Sequence, residues 1–339
     1  MVLVDGCIFP RYGDRGQLMD VPRLRFAHLP TPVETLPCLS DALGGARLLI
    51  KRDDQTGLAF GGNKTRKLEF LVAEAREQGA KMLISGGALQ SNHCRQTAAA
   101  AARFGFECIL VLTGDKSQHA SGNLLLDQLF GAEIVYVADL KNRDSILQET
   151  FDRATNEGQK PYLVPYGGSN ATGALGYAFA MKELIDQNVS ADWIVFASSS
   201  GGTQAGLLLG QRIFGFNGRI LGISVDESEE WLKSEVSKLA SATSEKLGDR
   251  IEFASADVLV NANYCSVGYG VVTEREREAI HMFASCEGLL LDPVYTGRAA
   301  AGMIDLIRTG FFKTHETVLF WHTGGQPALF AEQYADEFK

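Results

Sequence analysis

At 339 residues, with 45% hydrophobic content and a net charge of -9 at pH 7, the chain suits one large or two ordinary domains with buried cores. The acidic balance argues against nucleic acid or an anionic membrane as the main partner, because either favours a basic face, so an anionic ligand needs local help. Six scattered cysteines, Cys7, Cys38, Cys94, Cys108, Cys265 and Cys286, show no C-x-x-C pair and no metal-type spacing to histidine. They suggest neither a disulfide framework nor a metal site, and they suit a reduced, cytoplasmic chain.

The start, MVLVDGCIFPRYGDRGQL, interrupts every short apolar stretch with charge and reads as an irregular extension without a signal-peptide core. No run approaches the roughly 18 apolar residues of a membrane span. Asp53 and Asp54 in KRDDQTG suit pairing with a nearby arginine or capping of a turn, ahead of any cation. In GGNKTRKLEFL, Gly61 and Gly62 let the backbone approach a bulky ligand, and Lys64 stands at the entrance to a helix. An amine there suits a Schiff-base nucleophile; a solvated lysine after a flexible turn is the plainer alternative.

Further along, KMLISGG, CILVLTG, EIVYVA and YLVPYGG read as strands, separated by the helical patterns NHCRQTAAAAARFG and SILQETFDRATNEG. WIVFASSSGG, TQAGLLLGQRIFG and RILGISVD continue the alternation, 227–246 reads as an amphipathic helix, and TVLFWHTGGQPALFAEQYA repeats the pattern near the end. This alternation is the signature of parallel βαβ sheet, in a two-domain α/β chain that crosses more than once between domains. Glycine-rich turns are expected at Gly86 and Gly87, at Gly201 and Gly202, and at Gly324 and Gly325, where strand ends can converge on one crevice.

The segment SSSGGTQAG is the most anion-like of these. Ser199, Ser200 and Thr203 bring hydroxyls, Gly201 and Gly202 expose N–H groups, and a helix begins just after. It matches neither the nucleotide P-loop nor a clean G-x-G-x-x-G. In SGGALQSNHCRQT, Gln90, Ser91, Asn92 and His93 stand before an alanine-rich helix, suited equally to capping it and to receiving a substrate carboxylate. His322 reads as a satisfied partner at a strand end.

GGNKTRKLEFL, SGGALQSNHCRQTAAAAA, YGGSNATGALGY, SSSGGTQAG, GYG, LLLDPVYTGRAAAGMIDLI and HTGGQPALF together resemble the pyridoxal-phosphate enzymes grouped as D-cysteine desulfhydrase and 1-aminocyclopropane-1-carboxylate deaminase. The likeness runs in order from about Pro22 to Phe330. It implies the tryptophan-synthase-β-like fold, fold type II, with two open, mostly parallel twisted sheets flanked by helices. On this resemblance 1–68 and 185–339 form the larger cofactor-binding domain, 1–20 being the extension, and 69–184 form the smaller α/β domain. It also implies a homodimer acting on a small amino acid, with no nucleic-acid or membrane partner.

The resemblance assigns Lys64 to the Schiff base with pyridoxal 5'-phosphate and to removal of the substrate's α-proton. Lys67 matches a lysine that helps hold the phosphate. Ser199, Ser200, Gly201, Gly202 and Thr203 match the phosphate cup, and Asn92 a side chain near the ring hydroxyl. Tyr269 in SVGYGV and Tyr295 in DPVYTGR match tyrosines of the catalytic site, and Ser91 a serine near the substrate carboxylate, with Gln90, Asn92 and His93 beside it.

Specificity turns on Thr296 and Thr323. The cyclopropane deaminases resembled typically read VYEGK and HLGG at these places, whereas the desulfhydrase branch carries hydroxyl residues, as in VYTGR and HTGG here. A glutamate at the pyridine nitrogen strengthens the electron sink; a neutral threonine leaves it weaker. β-Elimination from D-cysteine to pyruvate, sulfide and ammonia is therefore the expected reaction. The alternatives are an L-cysteate sulfo-lyase, whose sulfonate needs a second anion site that Leu89 would not favour, the cyclopropane deaminase, and a binding protein without turnover. Arg298, where family members commonly carry lysine, matches none of these patterns.

Overall fold

Short aliphatic strands and amphipathic helices alternate along the chain to build two sheets. The computed structural model describes residues 21–116 and 119–338, so the extension expected over 1–20 lies outside the described residues. The first sheet opens with β1 (Val33–Thr35) and β2 (Arg47–Arg52) around α1 (Pro37–Leu43), and α2 (Asn63–Glu77) then leads away from it. The second sheet holds β3 (Met82–Ala88), β4 (Glu107–Thr113), β5 (Glu133–Val137) and β6 (Pro161–Leu163), linked by α3 (Asn92–Phe104), α4 (Gly122–Leu129) and α5 (Arg143–Asn156). The long α6 (Ala171–Asp186) returns to the first sheet, which adds β7 (Trp193–Ser198), α7 (Gly202–Phe214), β8 (Arg219–Ser224), α8 (Glu229–Lys246) and β9 (Leu259–Asn261). It finishes with α9 (Glu274–Glu287), α10 (Thr296–Arg308) and β10 (Thr317–His322).

Strand order is β1-β2-β10-β7-β8-β9 in the larger sheet and β5-β4-β3-β6 in the smaller. Every pairing is parallel except β1 with β2. This is the expected α/β class with two open, mostly parallel sheets. Because successive side chains point to opposite faces, Leu48, Ile50 and Phe320 pack under α9 and α10, while Leu49, Leu319 and Trp321 pack under α6, α7 and α8. Residues 69 and 184 fall inside α2 and α6, and α6 contributes Leu175, Ala178 and Met181 to the core of the larger sheet. A Cβ on Gly206 or Gly210 of α7 would stand 2.2 Å from the Ala174 carbonyl or 2.6 Å from that of Ala178, so these glycines let α7 lie directly on α6.

Two local expectations are corrected. Gly86 and Gly87 lie within β3, paired with Val111 and Leu112, and form no turn. Glycine is needed there because a Cβ on Gly87 would meet Ser91 Oγ at 2.7 Å and Cys94 Sγ at 2.8 Å at the start of α3. After β10 the chain makes two 3-10 turns, Gln326–Phe330 and Glu332–Tyr334, where the pattern suggested a further helix; left-handed Gly324 and Gly325 and then Pro327 interrupt it. The helix expected over 227–246 is α8, begun by Ser228, whose hydroxyl accepts from Trp231 N. No helix among the described residues is long and apolar enough to cross a membrane.

Candidate active site

Both sheets end on one cleft. Ser198 to Gly201 enter it from the end of β7, Thr323 and Gly324 after β10, Ser91 to His93 at the start of α3, and Tyr166 and Gly167 beyond β6. Asn63 and Lys64 reach it from the first turn of α2, and Tyr295 from the residue before α10. This is the carboxyl edge of the sheets, where open parallel folds bind ligands.

Lys64 Nζ donates to Asn63 Oδ1 at 3.0 Å and lies 5.9 Å from the centre of the Tyr295 ring. Burial, then the nearby Arg95 guanidinium, pulls the amine down to about 8 against the opposing pull of Asp292. The turn before it is tied down by backbone hydrogen bonds. Gly62 N donates to the Asp53 carbonyl at 2.8 Å, Asn63 N donates to the Thr323 carbonyl at 2.9 Å, and Gly61 and Gly62 take left-handed φ of 66° and 121°.

Gly201 precedes α7 at φ 78° and, having no side chain, offers no cap of its own to the first N–H groups of the helix. Lys67 is fully buried one turn beyond Lys64, and Nζ donates to the Gly167 carbonyl at 3.0 Å and to Ser169 Oγ at 3.1 Å. Ser169 Oγ bonds Ser200 Oγ at 2.8 Å and accepts from Gly202 N at 3.2 Å, joining Lys67 to the α7 loop. No carboxylate among the described residues pairs with Lys67. Burial, and then Lys64, hold its amine well below the ordinary range.

On the opposite wall, Ser91 caps α3, its Oγ accepting from Cys94 N at 3.2 Å, and it also lines the cleft. His93 Nε2 lies 2.9 Å from Ser85 Oγ; burial, then Lys64 and Lys67, keep this ring far below its usual pKa and therefore neutral. Tyr295 and the more exposed Tyr269 share a hydrogen bond between hydroxyls at 2.8 Å with rings edge to face, and burial raises the Tyr295 phenol.

Of the residues picked from sequence, Lys64, Ser91, Asn92, His93, Ser199, Ser200, Gly201, Thr203, Tyr295 and Thr323 line the cleft. Lys67 and Gly202 join it through Ser169, and Tyr269 through Tyr295. Gln90 and Thr296 stand elsewhere. The Gln90 amide donates to the Ser121 carbonyl and accepts from Asn123 N, which turns it toward α4. Thr296 is fully buried with its hydroxyl paired to Asp292, whose carboxylate also accepts from the N–H groups of Val294, Tyr295 and Thr296 and so caps α10. His322 is satisfied at the end of a central strand, between the Leu290 carbonyl and Gly324 N.

Asn63, Tyr166 and Ser169 were missed. Asn63 sits inside the GGNK run, and Tyr166 and Ser169 lie in YGGSN, whose glycines mark a loop at a strand end. Asp53 and Asp54 pair with Arg66 and Arg52 respectively.

Residues 24–324 match the family model of pyridoxal-phosphate dependent enzymes. The solved structure of an ACC deaminase homologue is 39% identical, with a TM-score of 0.86 over 94% of this chain and 96% of that one. An L-serine ammonia-lyase from Rhizomucor miehei shares the fold at 17% identity, TM-score 0.67, over 92% of this chain and 98% of that one. Threonine deaminase isoform 2 from Solanum lycopersicum does so at 17%, TM-score 0.63, over 88% and 80%. The chain belongs to the pyridoxal-phosphate dependent enzyme family, and its cofactor is pyridoxal 5'-phosphate. The donor set fits that group: a buried lysine without a counter-ion beside a glycine-led helix start suits a phosphate, and an amine near 8 suits an aldehyde.

Proposed function

We propose that this enzyme catalyses β-elimination on a small β-substituted amino acid, D-cysteine, which with one water gives pyruvate, hydrogen sulfide and ammonia. The observation that carries the reading is the make-up of the cleft wall: one amine lowered to about 8, the Tyr166 and Tyr295 phenols, the His93 ring and several hydroxyls, with no carboxylate and no arginine among the described lining residues.

Bound there, pyridoxal phosphate supplies the electron sink that makes the substrate's α-hydrogen removable. In this reading the start of α7 with Ser199, Ser200, Gly201, Gly202 and Thr203 holds the phosphate, and Lys67 balances its charge through Ser169. Asn92 donates to the ring oxygen, and Thr323 meets the ring nitrogen. Ser91 receives the substrate carboxylate at the start of α3. Lys64 Nζ takes the α-proton, and the Tyr295 and Tyr269 hydroxyls hand a proton to the departing sulfur.

A neutral hydroxyl at the ring nitrogen gives a weaker sink, adequate for a good leaving group such as hydrosulfide. A sulfonate would bring a second anion to a wall whose one lining cation among the described residues is Lys64; Leu89 packs beside Gly114 and is not among the residues lining that wall. A second reading, ring opening of 1-aminocyclopropane-1-carboxylate, is favoured by the 39% identity to the ACC deaminase homologue. Supplying D-cysteine, L-cysteine, L-cysteate and aminocyclopropane carboxylate separately, and measuring 2-oxo acid, ammonia and sulfide, tests the reading. Sulfide from D-cysteine is expected. Turnover of the cyclopropane or of cysteate in its place, preference for L-cysteine, or silence on all four would overturn it.

A further inference from the structure

Asn92 reaches the cleft with one side of its amide already bonded. Its Oδ1 accepts from Asn123 Nδ2 at 2.9 Å and from Arg95 Nη1 at 3.3 Å. Asn123, fully buried on α4, is oriented in turn: its Oδ1 accepts from Arg95 Nη1 at 3.0 Å, and its Nδ2 also donates to the Gln90 carbonyl at 2.8 Å. A guanidinium donates and never accepts. The chain of bonds therefore has a single polarity, from Arg95 through Asn123 to Asn92. Turning either amide over would set donor against donor in a buried place.

What remains of Asn92 for the cleft is its NH₂ group. Arg95 is itself anchored: it is fully buried, and Nη2 donates at 2.9 Å to the carbonyl of Gly61, three residues before Lys64. Gln96 donates to the same carbonyl. Burial lowers the guanidinium to about 10, so Arg95 stays a cation at neutral pH. No carboxylate among the described residues forms an ion pair with it. Asp127 on α4 has both carboxyl oxygens buried without a partner, and burial pushes its pKa up toward the neutral form.

We propose that Arg95 and Asn123 are positioning residues for the cofactor, together fixing the Asn92 amide as a hydrogen-bond donor toward the oxygen on the cofactor ring. This rests on the reading of Asn92 under the proposed function. A donor there favours the ionised oxygen, and so lowers the pH at which the visible absorbance of the bound cofactor changes. The other charged or titratable groups near that point are Lys64 and Lys67 on α2, His93 on α3, Tyr166 beyond β6, and Asp292 and Tyr295 before α10, and none is altered in the variants below.

The test is a pH titration of visible absorbance on fully loaded enzyme without substrate. Asn92→Leu removes the donor, and Asn123→Leu removes its orienting partner without touching the Arg95 charge. Asn123→Asp keeps the shape but only accepts, which turns the Asn92 oxygen toward the ring. Arg95→Lys keeps the charge and loses the fork. The midpoint is expected to rise by about one pH unit in Asn92→Leu and Asn123→Leu, the usual size for a lost bond to a charged group. It should rise at least as far in Asn123→Asp, and less in Arg95→Lys. If Asn92→Leu moves the midpoint while both Asn123 variants titrate like the parent, the relay is overturned and the site reading stands. If Asn92→Leu does not move it, Asn92 does not serve the ring oxygen and both fall.

Discussion

The Tyr295 hydroxyl is held 2.8 Å from that of Tyr269, which ties the start of α10 to the 268–271 loop. The Tyr295 ring lines the cleft and lies 5.9 Å from Lys64 Nζ. Two phenols sharing one hydrogen bond act as a unit, one placing the proton that the other holds. Tyr295→Phe is therefore expected to lower kcat by roughly 10²-fold, the ordinary size of a positioned acid. Tyr269→Phe should lower it less, and the double variant should be little worse than Tyr295→Phe alone. Steady-state kinetics on D-cysteine measure this; losses that multiply would reveal two independent roles.

Lys64 makes a prediction about pH. Burial lowers its amine from 10.5 to about 8, so the neutral fraction grows about tenfold per pH unit below 8 and levels off above it. The rate at which cofactor-stripped protein takes up pyridoxal phosphate should follow that curve when the growth of the visible band is timed. A rate still climbing at pH 10 would mean an amine that the cleft does not tune. Lys64→Ala should lose on the order of 10³-fold or more of turnover, and borohydride reduction should leave no cofactor mass on the protein.

Thr296 and Thr323 look alike in sequence and differ in the structure. The Thr296 hydroxyl is bonded to Asp292, both as donor and as acceptor, whereas Thr323 lines the cleft. Thr296→Val should cost about 1–2 kcal/mol of stability, as the loss of a buried hydroxyl's hydrogen bonds does, and leave the spectrum of the bound cofactor close to that of the parent. Thr323→Val should leave the melting temperature nearly unchanged and alter the spectrum. Thermal melts and absorbance on the same samples separate the two outcomes, and a spectral change in Thr296→Val alone would reverse the roles.

Much of this site was legible because glycine marks it. Close approach of backbone to ligand requires residues without a side chain, and those runs carried Lys64, Ser199, Ser200 and Thr323 with them. The sheet strands were legible because buried parallel strands are aliphatic runs. The partner that holds the Gln90 amide, Asn123, lies 33 positions further on and carries no local mark. The bonds of Thr296 were hidden for a similar reason: the Asp292 cap is a turn chemistry, visible only once the first turn of α10 is formed. Ser169 acts through Lys67, 102 residues earlier, a distance no periodicity spans.

The turn that presents Lys64 also rests on a buried ion network. Arg66 on α2 donates to both Asp53 oxygens, at 2.7 and 2.8 Å, and also reaches Glu183 of α6. Tyr177 and Trp321 donate to Asp53 Oδ2 at 2.6 and 2.8 Å. Burial alone would raise the Asp53 carboxyl, but Arg66 and these hydrogen bonds outweigh it and hold its pKa below 3.8. Because the folded value is depressed, the stabilisation is fully present above the unfolded value of about 4 and is lost as pH falls through the folded one. Asp53→Asn leaves Arg66 buried with half its partners, which should cost about 3–5 kcal/mol at pH 7. The gap in unfolding free energy between parent and variant should stay flat from pH 8 to 5 and narrow below pH 4, as urea titrations at each pH would measure. A gap that instead opened on acidification would mean that Asp53 is neutral in the folded protein and that Arg66 is balanced by Glu183 alone. Because Gly62 N bonds the Asp53 carbonyl, the variant should also take up cofactor more slowly wherever it is destabilised.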